Sequence, residues 1–370
     1  MAKIVFWVSL GVVLYVYLGY PCILFLIGIF KKSYADKKIS SNNDFLPNVS
    51  LLIVAYNEEK NIENKLKNSL ALDYPKNKLE IIIISDASTD NTEKIVKSYE
   101  GKGIKLFAIK ERGGKTSALN SVFPEIKTDI IIFSDANSVY DRNAIKKLTS
   151  RFEDKNVGCV CGNLKLTNVD ETGVSKGEGL YWKYENVIKK LESQQGSLLM
   201  GAGTIYAIRR ELYQSVDIDL ADDFTMPLSI LAKGYKVIYE EDAIAYEKTY
   251  TILKEEFNRK RRIAARDSLA YTRIFYKLPV FVLWQLTSHK FLRWLISYFL
   301  FLIFIANIFL LSSVFYSVIF VLQIVFYFLA FLKLRIPYYF CAVNMAASLG
   351  VWDMFIGKRY ITWEKAKSSR

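Results

Sequence analysis

The stretch that decides the fold is IIIFSDANSVY, residues 130–140. Ile130, Ile131, Ile132 and Phe133 form an unbroken apolar run that passes directly into Ser134, Asp135, Ala136 and Asn137. An apolar run without polar alternation, bounded by polar residues, predicts a strand buried on both faces. The carboxylate of Asp135 and the carboxamide of Asn137 then stand at the strand's carboxyl end. In open α/β sheets that is where ligands bind.

Working outward, similar runs occur at 49–54 (VSLLIV), 79–84 (LEIIII), 104–109 (IKLFAI), 129–133 (DIIIF), 157–161 (VGCVC) and 203–208 (GTIYAI). Helical patterns lie between them at 58–70, 91–100, 115–122 and 142–152. This alternation predicts an α/β class with a Rossmann-like, mainly parallel sheet covered on both sides. Each strand is followed by a polar turn: Ala55-Tyr56-Asn57-Glu58-Glu59, Ser85-Asp86-Ala87-Ser88-Thr89-Asp90, Glu111-Arg112-Gly113-Gly114-Lys115 and Ser134-Asp135-Ala136-Asn137. One such turn alone reads as a helix cap, with Ser88 or Asp90 serving 91–100 and Asp141 serving 142–152. Four on one rim point to a ligand.

A nucleotide explains the set. Carboxylates accept hydrogen bonds from a base N–H and from ribose hydroxyls, while Arg112 and Lys115 face a diphosphate across Gly113 and Gly114. Gly114-Lys115-Thr116 has the end of a Walker A loop, but Ile109 stands where that loop needs glycine. No G-x-G-x-x-G follows the first strand, which removes the usual oxidoreductase reading. Asp135 and Asn137, two apart beside a diphosphate, suit Mg²⁺ or Mn²⁺ held through few protein oxygens.

Hydrophobic residues make up 52% of the 370-residue chain, and they are unevenly spread. Residues 4–30 and 294–332 carry no charge. A bilayer core takes about 20 apolar residues in helix, so the first stretch gives one span and the second gives two, with a turn near Ser312 and Ser313. The first run is too long for a signal peptide and lacks a small-residue cleavage site. The net charge of +13 reflects basic residues beside the spans: Lys31, Lys32, Lys37, Lys38, Arg259 to Arg262, Lys333, Arg335, Lys358 and Arg359. Such residues mark the cytoplasmic side. No RNA-binding signature accompanies them, so nucleic acid is not an expected partner. Cys159 and Cys161 share a strand face, and no histidine cluster makes them a zinc site. The single histidine, His289, reads as an interfacial residue before a span.

The series VAYNEE, SDASTD, RGGKTSALN and SDAN, followed by GAGTIYAIRREL at 201–212, ADDF at 221–224 and FNRKRRI at 257–263, resembles the family-2 glycosyltransferases of GT-A fold. With the flanking apolar segments, the chain is most similar to the membrane-integrated polysaccharide synthases of cellulose, chitin and hyaluronan type. The resemblance implies that Tyr56 and Glu58 contact the nucleoside, Asp86 the uracil of a UDP-sugar, and Lys115 the nucleotide. Asp135 and Asn137 stand at the family's Asp-x-Asp metal and diphosphate site. Asn137 replaces the second carboxylate there, which predicts weaker divalent affinity than an Asn137→Asp variant would have. Asp222 and Asp223 match the family's acidic pair, with Asp223 as catalytic base. Read alone, the pair is equally a helix N-terminus favouring negative charge.

Arg259 and Arg262 fall where the synthases have Gln-x-x-Arg-Trp, at the diphosphate and acceptor. Ile263 replaces the tryptophan. An amphipathic helix over 252–275 lying on anionic lipid is an equal reading of this stretch. Residues 180–191 repeat apolar residues at helical spacing and read as a helix that packs or lies on the membrane surface, with Trp182 and Tyr184 contacting an acceptor as the alternative.

The expected organisation is an N-terminal transmembrane anchor over 1–32, a GT-A domain over 47–250, interface helices over 251–290, and a transmembrane hairpin over 291–370 ending in an interfacial or re-entrant segment at 336–356. The middle of a multi-pass cell-membrane protein would then be cytoplasmic. The expected activity is inverting transfer from a UDP-sugar to a hydroxyl of a growing glycan at the cytoplasmic membrane face, for extracellular polysaccharide, with a glycan or lipid-linked acceptor, membrane lipid, and a homo-oligomer or export partner left open. A polyprenyl-phosphate acceptor is the alternative, and a membrane-anchored sugar-nucleotide-binding subunit is the non-enzyme reading.

Overall fold

The computed structural model describes residues 1–30, 45–169 and 172–362. Lys31, Lys32, Lys37 and Lys38, and the chain beyond residue 362, lie outside the described residues.

Eight strands form one sheet: β1 (Val49–Ala55), β2 (Leu79–Asp86), β3 (Ile104–Ile109), β4 (Ile130–Asp135), β5 (Val139–Tyr140), β6 (Val157–Leu166), β7 (Ile205–Arg209) and β8 (Lys236–Glu247). Their order is β3-β2-β1-β4-β7-β6-β8-β5. The β3-β2-β1-β4 half is parallel, and β7 runs antiparallel between β4 and β6. The expected mainly parallel α/β sheet is therefore present.

The continuous apolar runs have a direct cause. Leu52, Val54, Ile131 and Phe133 enter one core, while Leu51, Ile53, Ile130 and Ile132 enter another on the opposite face. Successive side chains point to opposite faces, so a sheet covered twice needs apolar residues at every position. Cys159 and Cys161 do share one face, their sulfurs 3.9 Å apart. Two strands were not anticipated. β8 carries charged Glu240, Glu241 and Asp242 in mid-strand, which breaks its apolar run, and β5 is too short to show a period.

The helices are α1 (Ala2–Phe30, through a π turn at Tyr15–Gly19), α2 (Ile62–Leu70), α3 (Thr92–Lys97), α4 (Lys115–Val122), α5 (Ala144–Ser150), α6 (Gly173–Gln194), α7 (Asp222–Ala232), α8 (Leu253–Ile274), α9 (Val280–Trp294), α10 (Ile296–Ile308), α11 (Val314–Phe331) and α12 (Arg335–Phe355). Asp90 accepts from the Thr92 N–H at 2.9 Å, as a cap of α3 would. Asp141 accepts from the Asn143 N–H at 3.0 Å, just outside α5.

α1 and α11 are long and apolar enough to cross a bilayer. The span expected at 294–311 is not one straight helix. α9 and α10 meet at Leu295 with a bend of 60°. The Ser348 hydroxyl donates to the Trp294 carbonyl at 2.7 Å, which removes that carbonyl from the helical ladder at the break. α10 alone, at 13 residues, reaches only about 20 Å, short of a hydrocarbon core of about 30 Å.

α12 crosses α8 closely. A Cβ on Gly350 would lie 2.3 Å from the Arg261 carbonyl oxygen, so only glycine allows this approach. Asp353 of α12 takes a two-pronged bond from Arg261 at 2.6 Å on each oxygen.

Candidate active site

In the sheet register Val54 lies beside Asp135, where β1 and β4 end and the chain leaves in opposite directions. This is the switch point at which doubly wound sheets bind ligands. Asp135 meets the Lys115 ammonium, Nζ to Oδ1 at 2.7 Å. Lys115 opens α4 after Gly114, whose φ of +84° is a left-handed conformation suited to glycine. Burial disfavours the charge on Lys115, but Asp135, Asp222 and Asp223 outweigh it and hold the ammonium well above the ordinary lysine range.

Lys115 also donates to the Gly203 carbonyl at 3.1 Å. The N–H of the same Gly203 donates to Asp223 Oδ2 at 3.0 Å. One residue thus links the two halves of the site. Asp222 and Asp223 begin α7, where the helix N-terminus favours negative charge. Tyr206 donates to Asp222 Oδ2 at 2.7 Å. Burial, then the Asp222 charge, push the Asp223 carboxyl up to about 6, against the pull of Lys115.

Asn137 turns its amide N–H to Glu247 Oε1 at 2.8 Å, and Thr204 donates to the other oxygen of Glu247 at 3.2 Å. Burial, then Asp135, raise Glu247 to about 7. Glu247 was missed in the sequence because it ends β8, the strand that was not anticipated. The oxygen donors here suit a hard divalent cation: the Asp135 carboxylate and the Asn137 amide oxygen, whose nitrogen is already engaged. The Lys115 ammonium beside Asp135 marks the position as one that accepts positive charge.

Asp86 ends β2 with no solvent exposure. Its two oxygens accept the N–H groups of Gly113 and Gly114, each at 2.9 Å. The carboxylate therefore shapes the glycine loop. Arg112 of that loop lies 3.7 Å over the ring of Tyr56. Glu58 is buried and accepts from Asn61 at 2.8 Å. Glu58, Lys115, Asp135, Asn137, Asp222 and Asp223 line one cavity of about 320 Å³, and Tyr56 and Asp86 stand outside its lining.

The far wall of the cavity comes from α6, α8 and α9. Arg259 lines it but is held by Glu256 at 2.7 Å and by Glu178. Arg262 lines it too, and burial, then Arg266, pull its guanidinium down to about 10. Trp182 reaches the cavity, whereas Tyr184 packs toward α1, donating to the Tyr17 carbonyl at 3.0 Å. His289 is a correction: it is buried, with Nδ1 2.7 Å from Glu192, and is not an interfacial residue. Two acidic residues on α6 draw it inward, a pairing that its neighbours in sequence do not show. Glu185, Lys290, Arg293 and Asp267 also line the cavity and carried no sequence signal.

Comparison with known proteins finds similarity to glycosyltransferases. Residues 50–217 match the family model described as Glycosyl transferase family 2. The "Probable glycosyltransferase YdaM" of Bacillus subtilis (strain 168) is 29% identical over 299 residues, 75% of this chain and 70% of that protein. The poly-beta-1,6-N-acetyl-D-glucosamine synthase of Staphylococcus aureus (strain COL) is 30% identical over 218 residues, 57% of this chain. The aligned part is 52%, about half, of that synthase's length.

Among solved structures, a mannosyltransferase of Pyrobaculum calidifontis in complex with GDP-Man and Mn2+ superimposes with a TM-score of 0.76 at 19% identity. It covers 96% of this chain and 99% of that one, so the fold is shared through the apolar helices as well. Residues 50–217 are thus similar to the family-2 glycosyltransferases, and the chain beyond them to proteins named as glycosyltransferases.

Proposed function

We propose that the protein moves a sugar from a UDP-sugar to a hydroxyl of a growing glycan, with inversion, at the cytoplasmic face of the membrane. The observation that carries this reading is the Gly203 link. It sets the carboxyl of Asp223 next to the cation of Lys115, which in turn meets Asp135.

A sugar hydroxyl is a weak nucleophile until its proton leaves as the new bond forms. Asp223 takes that proton, and its pKa of about 6 leaves it ionised yet basic near neutrality. Attack on the anomeric carbon from the side opposite the leaving diphosphate inverts that carbon. Lys115 supplies fixed positive charge where the leaving group gains its negative charge. Asp135 and Asn137 would hold a Mg²⁺ or Mn²⁺ ion, which supplies further charge neutralisation on the diphosphate.

The UDP-linked donor rests on the resemblance of the strand-end motifs, the likeness to a poly-beta-1,6-N-acetyl-D-glucosamine synthase supports a glycan acceptor, and α1 and α11 support membrane attachment. The basic residues flanking the apolar segments support a cytoplasmic site.

The test uses the purified full chain in detergent with Mn²⁺ and a panel of UDP-sugars, with GDP-mannose alongside. Nucleoside diphosphate release and product size are measured. Turnover of a UDP-sugar is expected, with loss of about 10²-fold or more in Asp223→Asn. Turnover of GDP-mannose alone would overturn the donor assignment, and full transfer by Asp223→Asn the base assignment. Glycan linkage NMR reads the inversion.

A further inference from the structure

A lysine occupies the inward face of α2. Ile62, Lys65, Leu66 and Ser69 recur at helical spacing and are all buried, and Lys65 is only 1% exposed. Lysine is almost never fully buried without partners, because desolvating an ammonium is expensive. Lys65 is absent from the lining of the cavity and has no part in the transfer described above.

Its partners lie in one turn, which joins β4 to β5 and carries Asp135 and Asn137. Nζ donates to Ser134 Oγ at 2.7 Å, to the Ser138 carbonyl at 2.9 Å and to Ser138 Oγ at 3.1 Å. These contacts use the three hydrogens of an ammonium, which has no acceptor to offer. Both hydroxyls therefore receive from the lysine and give their own hydrogens elsewhere. The Asp135 carbonyl oxygen is within reach of both, 3.3 Å from Ser134 Oγ and 2.9 Å from Ser138 Oγ. Donation thus runs from Lys65 through two serines to the backbone of Asp135. One turn along α2, Asn68 grips the far end of the same hairpin. Its Nδ2 donates to the Tyr140 carbonyl at 2.9 Å, and its Oδ1 accepts the Tyr140 N–H at 2.8 Å. No carboxylate bonds to Lys65 among the described residues, so its hydrogen bonds all serve the turn.

We propose that Lys65 is a positioning residue for the cation site: it fixes the Ser134–Ser138 turn from behind, so that the Asp135 carboxylate and the Asn137 amide oxygen meet a divalent cation in the cavity. Groups that hold metal ligands in place from outside are worth about 10–100-fold in metal affinity. The role rests on the cation site of the transferase reading above, and its test is read without donor turnover.

The test is a Mn²⁺ titration of the full-length protein in detergent, without nucleotide, read by electron paramagnetic resonance. It is run at pH 6, below the value of about 7 to which burial lowers this amine. Lys65→Met should weaken Mn²⁺ by about tenfold or more. Charge alone predicts the reverse, since removing an ammonium near a cation site tightens that site. Ser138→Ala keeps the lysine but removes one of the hydroxyls it donates to, and should weaken Mn²⁺ severalfold. The double variant should be no weaker than Lys65→Met, because the two residues act through one chain of bonds. Lys67→Met, on the exposed face of α2 where Lys67 pairs with Glu63 at 2.8 Å, should leave Mn²⁺ within about twofold.

Equal or tighter Mn²⁺ in Lys65→Met would overturn the proposal. So would additive losses in the double variant, an equal loss in Lys67→Met, or no Mn²⁺ binding by the natural protein. If Lys65→Met does not fold, Ser138→Ala decides, and unchanged Mn²⁺ there overturns the role. Weakened Mn²⁺ in Lys65→Met, in a protein that turns over no UDP-sugar, would sustain the positioning role and sink the donor reading alone.

Discussion

Lys115 Nζ lies 2.7 Å from Asp135 Oδ1, and both side chains line the cavity. The pair keeps a cation and an anion ready at the place where a diphosphate and its counter-ion would be received. Lys115→Met should lower kcat/KM for the donor by about 10²-fold, the scale for one preorganised charge on a developing anion. Asp135→Asn should abolish Mn²⁺ binding read by electron paramagnetic resonance. Unchanged kcat/KM in Lys115→Met would show that the ammonium serves only to neutralise Asp135.

The Asp223 carboxyl, raised to about 6, sets the pH profile. A base must be ionised, so kcat/KM should fall tenfold per unit below about pH 6 and level off above it. Asp222 raises this carboxyl and Lys115 lowers it. The midpoint should therefore move down in Asp222→Asn and up in Lys115→Met. Stability carries the opposite sign. The folded state holds the Asp223 proton more tightly than the unfolded chain, so ionising it above pH 4 costs stability. Asp223→Asn should gain melting temperature relative to the natural protein as pH rises from 4 to 8. A flat difference across that range would contradict the raised value.

Asn137 and Glu247 are bonded at 2.8 Å, so a carboxylate at 137 would face another carboxylate. Asn137→Asp should bind Mn²⁺ more tightly than the natural protein, but with part of the gain offset by that repulsion. Adding Glu247→Gln should recover it, giving the tightest Mn²⁺ of the three in a titration. If Glu247→Gln weakens Mn²⁺ in the Asn137→Asp background, Glu247 itself is a ligand.

Asp86 accepts the N–H groups of Gly113 and Gly114 from a fully buried position. Asp86→Ala leaves both without an acceptor and should destabilise the domain by about 2–4 kcal/mol. Gly114→Ala adds strain at a φ of +84° and sets a Cβ 2.4 Å from the Ile361 carbonyl oxygen. It should also be destabilising, by about 1 kcal/mol from the backbone alone. Denaturant titration checks both. A neutral Asp86→Ala would mean that the loop holds its shape by other contacts.

Gly350→Val should separate α12 from α8, because its Cβ would fall 2.3 Å from the Arg261 carbonyl oxygen. Loss of the Arg261–Asp353 bond should follow, and protease sensitivity in α12 should rise. Unaltered digestion would show that the crossing yields without cost.

The parallel half of the sheet was legible because burial on both faces leaves an unbroken apolar signal, as in Ile130 to Phe133. β8 was not legible, because its buried positions are interrupted by Glu240, Glu241 and Asp242. Glu247 was lost with it. The two helices long and apolar enough to cross a bilayer, α1 and α11, were plain from length and hydropathy, which are local quantities. The bend at Leu295 was not, since its cause is a hydroxyl at Ser348 far along the chain. His289 was misjudged for the same reason: its partners Glu185 and Glu192 are more than ninety residues away.

By itself, the sequence determined the α/β class, the strand-end positions of Asp86, Lys115 and Asp135, and the likeness of residues 50–217 to the family-2 glycosyltransferases. These depend on local period and on residues fixed at strand ends. The tertiary structure decided how those groups are wired: Asp86 into the glycine loop, Lys115 onto Asp135, and Gly203 between Lys115 and Asp223. It also brought Glu185, Arg293 and Asp267 to the cavity. Such pairings join side chains far apart in the chain, and no one-dimensional pattern encodes a contact that only folding creates.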